Sequence, residues 1–206
     1  MSIYDVVVSN VSLELKTFEV IKLLSPDTTG GKPLMYALKH RKSDRQFELK
    51  NLSLKDLSNI MWAAYGINRT NGKRTTPSAM ALYPLKVYAV LTNGIYLYDL
   101  QKNELQPVIE GDYRELAGGQ DFVKDAPLNL VFIADFSIYE LKKITGEKCL
   151  WLASLDAGHC SQNVYLYCAS ENMKCVVRAG IKEQEFLKLL NLNDKFRFIV
   201  AQTIGY

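Results

Sequence analysis

No apolar run in this 206-residue chain approaches the roughly 18 residues that a membrane-spanning helix needs, so no membrane partner is expected. Histidine is scarce, with two residues, and the four cysteines (Cys149, Cys160, Cys168 and Cys175) show no Cys-x-x-Cys spacing. A metal site is therefore not expected, and the thiols read as buried apolar fillers in a reducing compartment. No Gly-x-Gly-x-x-Gly follows a strand, which argues against a Rossmann dinucleotide site, and neither a Gly-x-Ser-x-Gly elbow nor a paired-carboxylate hydrolase pattern occurs. Internal repeats and low-complexity segments are also missing. The formal charge of +3 is too small, and the cations are too scattered, for a nucleic-acid partner. Met1-Ser2-Ile3-Tyr4-Asp5 lacks the basic cap and apolar block of a signal peptide. A chain whose leader had been removed would read the same; the expectation is a cytoplasmic protein.

What is present is an ordinary globular composition, 48% hydrophobic and 23% charged, in a chain long enough for one sizeable core. We read a single domain over residues 1–206, with 1–30 as an N-terminal extension. Residues 3–19 alternate in places and fit a strand or an edge extension, ended by the turn cluster at 26–31. From Pro33 a helix is predicted with Leu34, Ala37 and Leu38 on one face. A second helix opens at Ser53, with Asp56 three residues on as a capping-box-like partner, and takes Gly66 as its C′ stop. Residues 86–91 and 95–100 flank Thr92-Asn93-Gly94, and Asn-Gly predicts a hairpin. Strands are expected at 128–134, Val176-Val177 and 196–202, with a long central helix at 149–171 and a shorter one at 182–190. A hairpin first and helices interspersed make an α+β class.

Two segments carry the chemistry. Arg41, Lys42, Ser43 and Arg45 cluster where the first helix ends. Arginine offers a planar fork for phosphate oxygens, lysine a compact charge and serine a short donor and acceptor for sugar-like hydroxyls. Taken alone, such a tetrad also fits a solvated helix end that complements the helix dipole. The second segment, Thr76-Pro77-Ser78-Ala79-Met80-Ala81-Leu82-Tyr83-Pro84, is an apolar, Pro-punctuated loop without charge, able to cover a flat ring or to pack its own core. Gln162 and Asn163 inside the long helix suggest buried amides with a fixed partner. His159 and Cys160 do not form a nucleophile pair, because adjacent helical residues point about 100° apart; His159 reads as a helix-packing residue.

These segments resemble the nitroreductase-like flavoenzymes. "HRKSDRQF" is similar to the Arg-Arg-Ser-x-Arg-x-Phe stretch of that family, "TPSAMALYPLKVYAV" to its Pro-Ser-Ala-Gly-Ala-Leu-Tyr-Pro loop and following strand, and "LSLKDLSNIMWAAYGINR" to a helix of its peptide-azoline dehydrogenase branch. The three motifs stand in the family's order and spacing. The resemblance implies a mixed, mainly antiparallel sheet flanked by helices, in a homodimer with FMN at each interface site. It implies that Arg41 and Lys42 lie near the phosphate, Ser43 near the ribityl chain and Arg45 at the N1/O2 edge of the ring. It further implies that Pro77, Ser78, Ala79, Met80 and Leu82 come from the other subunit to lie against the ring, and that Ala179 and Gly180 supply a backbone contact at flavin N5. The activity implied is hydride transfer between NAD(P)H and an acceptor such as a nitroaromatic or quinone. A substrate-oxidising flavin dehydrogenase and a flavin binder without turnover are the alternatives. Met80 replaces the usual Gly, so either the backbone turns less sharply there or a larger side chain narrows the pocket. The strand "FRFIVAQTIGY" resembles the family's last core strand and ends at Tyr206 where many relatives continue with Lys or Arg, so the expectation is that the phosphate grip rests more heavily on Arg41 and Lys42 or that affinity is lower.

Overall fold

The computed structural model describes residues 12–206. Most of the stretch expected to start a strand at residue 3 therefore lies outside the described residues; in the rest of it, residues 12–19 hold only an isolated bridge from Ser12 to Ser53. The first strand, β1 (Ile21–Lys22), follows directly and pairs with β4 (Glu104–Glu110). Between them the chain forms helix α1 (Leu34–His40), helix α2 (Leu54–Tyr65) and the hairpin β2 (Leu85–Leu91) and β3 (Gly94–Asp99). After β4 come the short helix α3 (Phe122–Asp125), strand β5 (Leu128–Asp135), the short helix α4 (Ser137–Glu140) and the long helix α5 (Glu147–Ser170). Strand β6 (Lys174–Arg178), helix α6 (Glu183–Leu189) and strand β7 (Phe196–Gly205) complete the order.

The strands form one sheet in the order β1-β4-β3-β2-β5-β7-β6. Each of its pairings is antiparallel, which makes the α+β fold class the observed one. Both faces of the centre are covered, which explains why β2 and β5 read as continuous apolar runs instead of alternating ones. Leu128, Leu130, Phe132 and Ala134 of β5 pack with Leu57, Ile60, Met61 and Ala64 of α2 and with Ala153, Cys160 and Val164 of α5. Val131 and Ile133 point the other way, to Phe186 and Leu190 beside α6. Each fully buried side chain of this size contributes about 1.5–3 kcal/mol. Among the described residues no helix is long and apolar enough to cross a membrane.

Local signals decide the helix ends. Ser53 Oγ accepts the Asp56 N–H at 3.0 Å and donates to the Asp56 carboxylate at 2.6 Å, so the N-cap forms as predicted, while the Ser53 N–H, which a full capping box would give to Asp56, donates to the Tyr206 hydroxyl at 3.3 Å. Gly66 ends α2 for a different reason than a left-handed C′ turn. Its backbone is extended, and a Cβ there would sit 2.3 Å from Trp62 Cδ1. The glycine admits the indole, whose Nε1 donates to the Ile67 carbonyl at 3.0 Å. The hairpin also differs in detail: Leu91 pairs with Gly94, leaving Thr92 and Asn93 as the turn. Gly94 belongs to the strand because a Cβ would meet the Phe18 ring at 2.3 Å. On α1 only Ala37 is buried, while Leu34 and Leu38 stay exposed beside Met35.

The Gly66 contact predicts that Gly66→Ala overpacks the α2 terminus and costs about 1–3 kcal/mol. Circular-dichroism melting should show a lower midpoint, and a simultaneous Trp62→Leu change should remove most of the cost.

Candidate functional site

Residues 41–48 run without regular structure past the end of α1 and are pinned to the sheet at two points. Asp44 N–H donates to the Cys175 carbonyl at 3.0 Å and Glu48 N–H to the Tyr206 carbonyl at 2.9 Å. Tyr165 of α5 is the other anchor. Its hydroxyl lies 2.7 Å from Ser43 Oγ and accepts the Val177 N–H at 2.9 Å, while the Arg41 guanidinium lies over its ring at 5.1 Å. Lys42 pairs with Asp44 at 3.2 Å. The Gln46 N–H and then Lys42 hold the Asp44 carboxyl below its usual range.

The cationic cluster borders two cavities. Arg41 and Lys42 border one of about 530 Å³ with Tyr36, His40, Tyr165 and Lys174. Arg45 borders another of about 580 Å³ at the end of β6, with Gln120, Arg178, Ala179, Gly180 and Lys182. The structure thus brings Arg45, Ala179 and Gly180 to one place. Three cations and no carboxylate line this second cavity. Gly180 has open space where a side chain would stand, and among the described residues nothing accepts its N–H. An anionic, planar group with an acceptor atom at Gly180 suits this lining by charge and by shape.

Arg178 forms the floor. It is 8% exposed and gives its protons to Thr203 Oγ1 at 2.9 Å, the Ala117 carbonyl at 2.6 Å, Asn129 Oδ1 at 3.1 Å and the Gly180 carbonyl at 3.3 Å. Burial lowers its pKa to about 10.

The 77–82 loop lies elsewhere. Ser78 Oγ donates to Asp156 Oδ2 at 2.5 Å and accepts the Tyr83 N–H at 2.9 Å. Met80, Ala81 and Tyr83 all have left-handed backbones, with φ of 53°, 54° and 52°, a conformation that costs about 1–3 kcal/mol each outside glycine. Met80 therefore keeps the sharp turn that a Gly would take, and its side chain is 57% exposed. The Arg74 guanidinium lies 4.4 Å from the Tyr83 ring centre and 4.0 Å from the Tyr65 ring centre. These contacts offset the strain.

Asp156 and Tyr165 anchor the two segments on one helix. They are nine residues apart in α5, which at about 1.5 Å and 100° per residue is about 13 Å along the axis and half a turn around it. Between them runs an exposed stripe containing Trp151, Leu155, Gly158, His159 and Gln162. In one chain, then, the 77–82 loop and the 41–45 segment sit on opposite flanks of α5.

The sequence pattern of the Nitroreductase family matches residues 38–206 of this chain. The chain is a member of that family. A crystal structure of a nitroreductase homologue from Ralstonia eutropha JMP134 is similar at 37% identity and a TM-score of 0.85, covering 94% of this chain and 91% of that one. A Methanocaldococcus jannaschii protein named for the nitroreductases, MJ1384, is 28% identical over 164 residues, 75% of this chain and 82% of that protein. The Escherichia coli microcin synthetase McbBCD complex, with truncated pro-MccB17 bound, contains a chain of the same fold: 21% identity, TM-score 0.68, covering 90% of this chain and 77% of that one. As a member of the nitroreductases, the protein is an oxidoreductase.

Several expectations for this family member change on inspection. His159 does not pack in a helix interface; it falls on the exposed stripe of α5, as does Gln162. Asn163 alone has fixed partners, the carbonyls of Ala63 at 3.1 Å and Thr75 at 3.4 Å, so its amide ties helix to loop. The four cysteines are free and buried. Sequence reasoning missed Asp156, Tyr165, Arg74 and Arg178. A charged residue on the buried face of a long helix (Asp156) and one closing an apolar strand (Arg178) were the available signals.

Burial pushes the Asp156 carboxyl up, against the Ser78 hydroxyl and the Ala79 N–H that favour its charge. A raised acid pKa means that the native state holds the proton more tightly, so the stabilising contribution is complete below 3.8 and lost as pH rises through the raised value. Asp156→Asn cannot titrate. The difference in melting temperature, variant minus wild type, should therefore increase between about pH 4 and pH 7; a flat difference would contradict the burial argument.

Proposed function

We propose that the protein is an FMN-dependent oxidoreductase that moves a hydride between NAD(P)H and a small oxidised acceptor such as a nitroaromatic or quinone. The observation that carries this reading is the carboxylate-free cavity in which Arg45, Lys182 and the unpaired Gly180 N–H converge. Bound FMN supplies the two-electron chemistry at its ring. The chain supplies position and charge. Arg45 stabilises negative charge at one edge of the ring, and the Gly180 N–H orients the opposite edge. Ser43, Arg41 and Lys42 reach the ribityl and phosphate end, with Tyr165 fixing Ser43. Lys42 shares its charge with Asp44, so Arg41 carries more of the phosphate contact than Lys42.

We infer that the working unit is a homodimer. A loop and a binding segment on opposite flanks of α5 cannot cover one ring from both sides within one chain. A partner seated on the exposed stripe would bring its own residues 77–82 over the first chain's Arg45 cavity. Trp151 and Leu155 on α5, with Leu34, Met35 and Leu38 on α1, are exposed apolar side chains suited to that contact. Gly158 lets a second helix approach closely. In this assembly Pro77, Ser78, Ala79, Met80 and Leu82 exclude water from the ring, held in shape by Asp156 of their own chain.

The oxidised acceptor fits a cleft entered from solvent. The substrate-oxidising dehydrogenase is favoured instead by one feature, the "LSNIMWAAYGINR" helix that resembles the peptide-azoline dehydrogenase branch. Anaerobic stopped-flow reduction separates the two. NADH or NADPH should bleach the flavin and a quinone should restore it, with Met80→Gly folded because its backbone is already left-handed. A stoichiometric FMN protein that neither nicotinamide bleaches, with or without Met80→Gly, would leave the dehydrogenase or a binder without turnover.

Two further outcomes are expected. Arg45→Ala should weaken FMN binding by about 1.5–3 kcal/mol, roughly 10- to 150-fold in Kd by fluorescence quenching, without unfolding the apoprotein. Light scattering of the FMN-loaded protein should give twice the chain mass of 23.4 kDa, and Leu155→Glu should shift it toward monomer with loss of flavin. A monomer holding stoichiometric FMN would contradict the shared site.

A further inference from the structure

We propose that Arg178 is a positioning residue and the buried counter-charge of the flavin cavity, making the site prefer the reduced, anionic flavin over the oxidised, neutral one. This rests on the reading of the cavity as a flavin site. The four acceptors of its guanidinium, Thr203 Oγ1, Asn129 Oδ1 and the carbonyls of Ala117 and Gly180, are all neutral. No ion pair among the described residues includes it. The fold therefore keeps a full positive charge out of water without a carboxylate, an arrangement that a nearby anion would stabilise.

The surroundings are built to hold it. A Cβ on Gly118 would come within 2.0 Å of Nη1, so the 117–119 turn is open because the guanidinium fills it. Asn129 Oδ1 is fixed in turn, accepting from Thr203 Oγ1 at 2.7 Å, while its Nδ2 donates to the Val123 carbonyl at 2.8 Å. The result is a rigid cation tying the 117–119 turn to the cavity lining, since its Nη1 donates to the carbonyls of both Ala117 and Gly180. Arg45 and Lys182 also border the cavity, but Arg178 is the one taken out of water, where a charge acts through a low dielectric and is little screened by salt.

The redox consequence follows from charge. A hydride from the nicotinamide donor carries two electrons and one proton to the ring; the donor leaves as the oxidised nicotinamide cation and the ring gains one negative charge. A fixed cation binds that product more tightly than the neutral starting ring, and the ratio of the two affinities is a shift in midpoint potential. For a two-electron couple each tenfold in that ratio is about 30 mV.

The test is the midpoint potential of FMN bound to the wild type and to three variants. Arg178→Met removes the charge. Asn129→Asp sets a carboxylate against Nη2, neutralising the charge while leaving the arginine in place, at the loss of the Val123 bond. Arg178→Lys keeps the charge. We expect the preference for reduced flavin to fall at least tenfold, about 30 mV more negative, in Arg178→Met and Asn129→Asp, and to stay within threefold of wild type in Arg178→Lys. A lost hydrogen-bonded floor alone would lower the affinity for both redox forms and leave the potential unmoved. Bound FMN with a wild-type potential in Arg178→Met or in Asn129→Asp overturns the proposal and leaves the flavin reading intact. A wild type that binds no FMN overturns both. Should Arg178→Met fail to fold, the Asn129→Asp potential decides.

Discussion

The hydrogen bonds that α5 makes from its two flanks hold the site together. Asp156 on one flank takes the Ser78 hydroxyl, and Tyr165 on the other takes Ser43 and the Val177 N–H. The helix can do this because most of its other buried positions, Ala153, Ala157, Cys160, Ser161 and Val164 among them, are small or slim and let it lie close against the sheet. Its rigidity fixes the separation of the two segments. A flexible connection would let both collapse onto one cavity; a straight helix keeps them on opposite sides and leaves the exposed stripe between them.

How much of this was legible depended on range. The cap at Ser53 and Asp56 was readable because both partners lie within one helical turn, and the long helix, the two central strands and the three family motifs were readable because each is continuous in sequence. The turn at Thr92-Asn93 shifted by one residue because Gly94 is needed under the Phe18 ring, a contact far away in sequence. β4 escaped notice because Pro107 breaks its pattern. The strand tolerates the proline because β1 pairs only with Glu104 and Leu105, so the missing donor faces no partner beyond them. Arg178 and Asp156 were legible only as misplaced charges; their meaning needed the neighbours that the fold brings from residues 117, 129, 203 and 78.

Three left-handed residues in the span 80–83 are an unusual concentration for non-glycine side chains. The loop pays for this shape with Ser78 bonded to both Asp156 and Tyr83, and with Tyr83 stacked on Arg74. Arg74 itself rests against both tyrosine rings, and burial lowers its pKa. Strain of this kind persists only where the surroundings over-determine the backbone. Here the aspartate and the arginine do so from two different directions.

The placement of residues 41–48 has a consequence for solubility. β6 is the last strand of the sheet, and an open strand edge is a template on which another chain can add. Asp44 N–H occupies the Cys175 carbonyl, and the segment carries Arg41, Lys42, Asp44 and Arg45 along that edge. The same eight residues that set cations at the rims of two cavities thus shield a β-edge with charge. Selection on this stretch would act through aggregation as well as through binding, and a substitution here could be lost from a population for either reason.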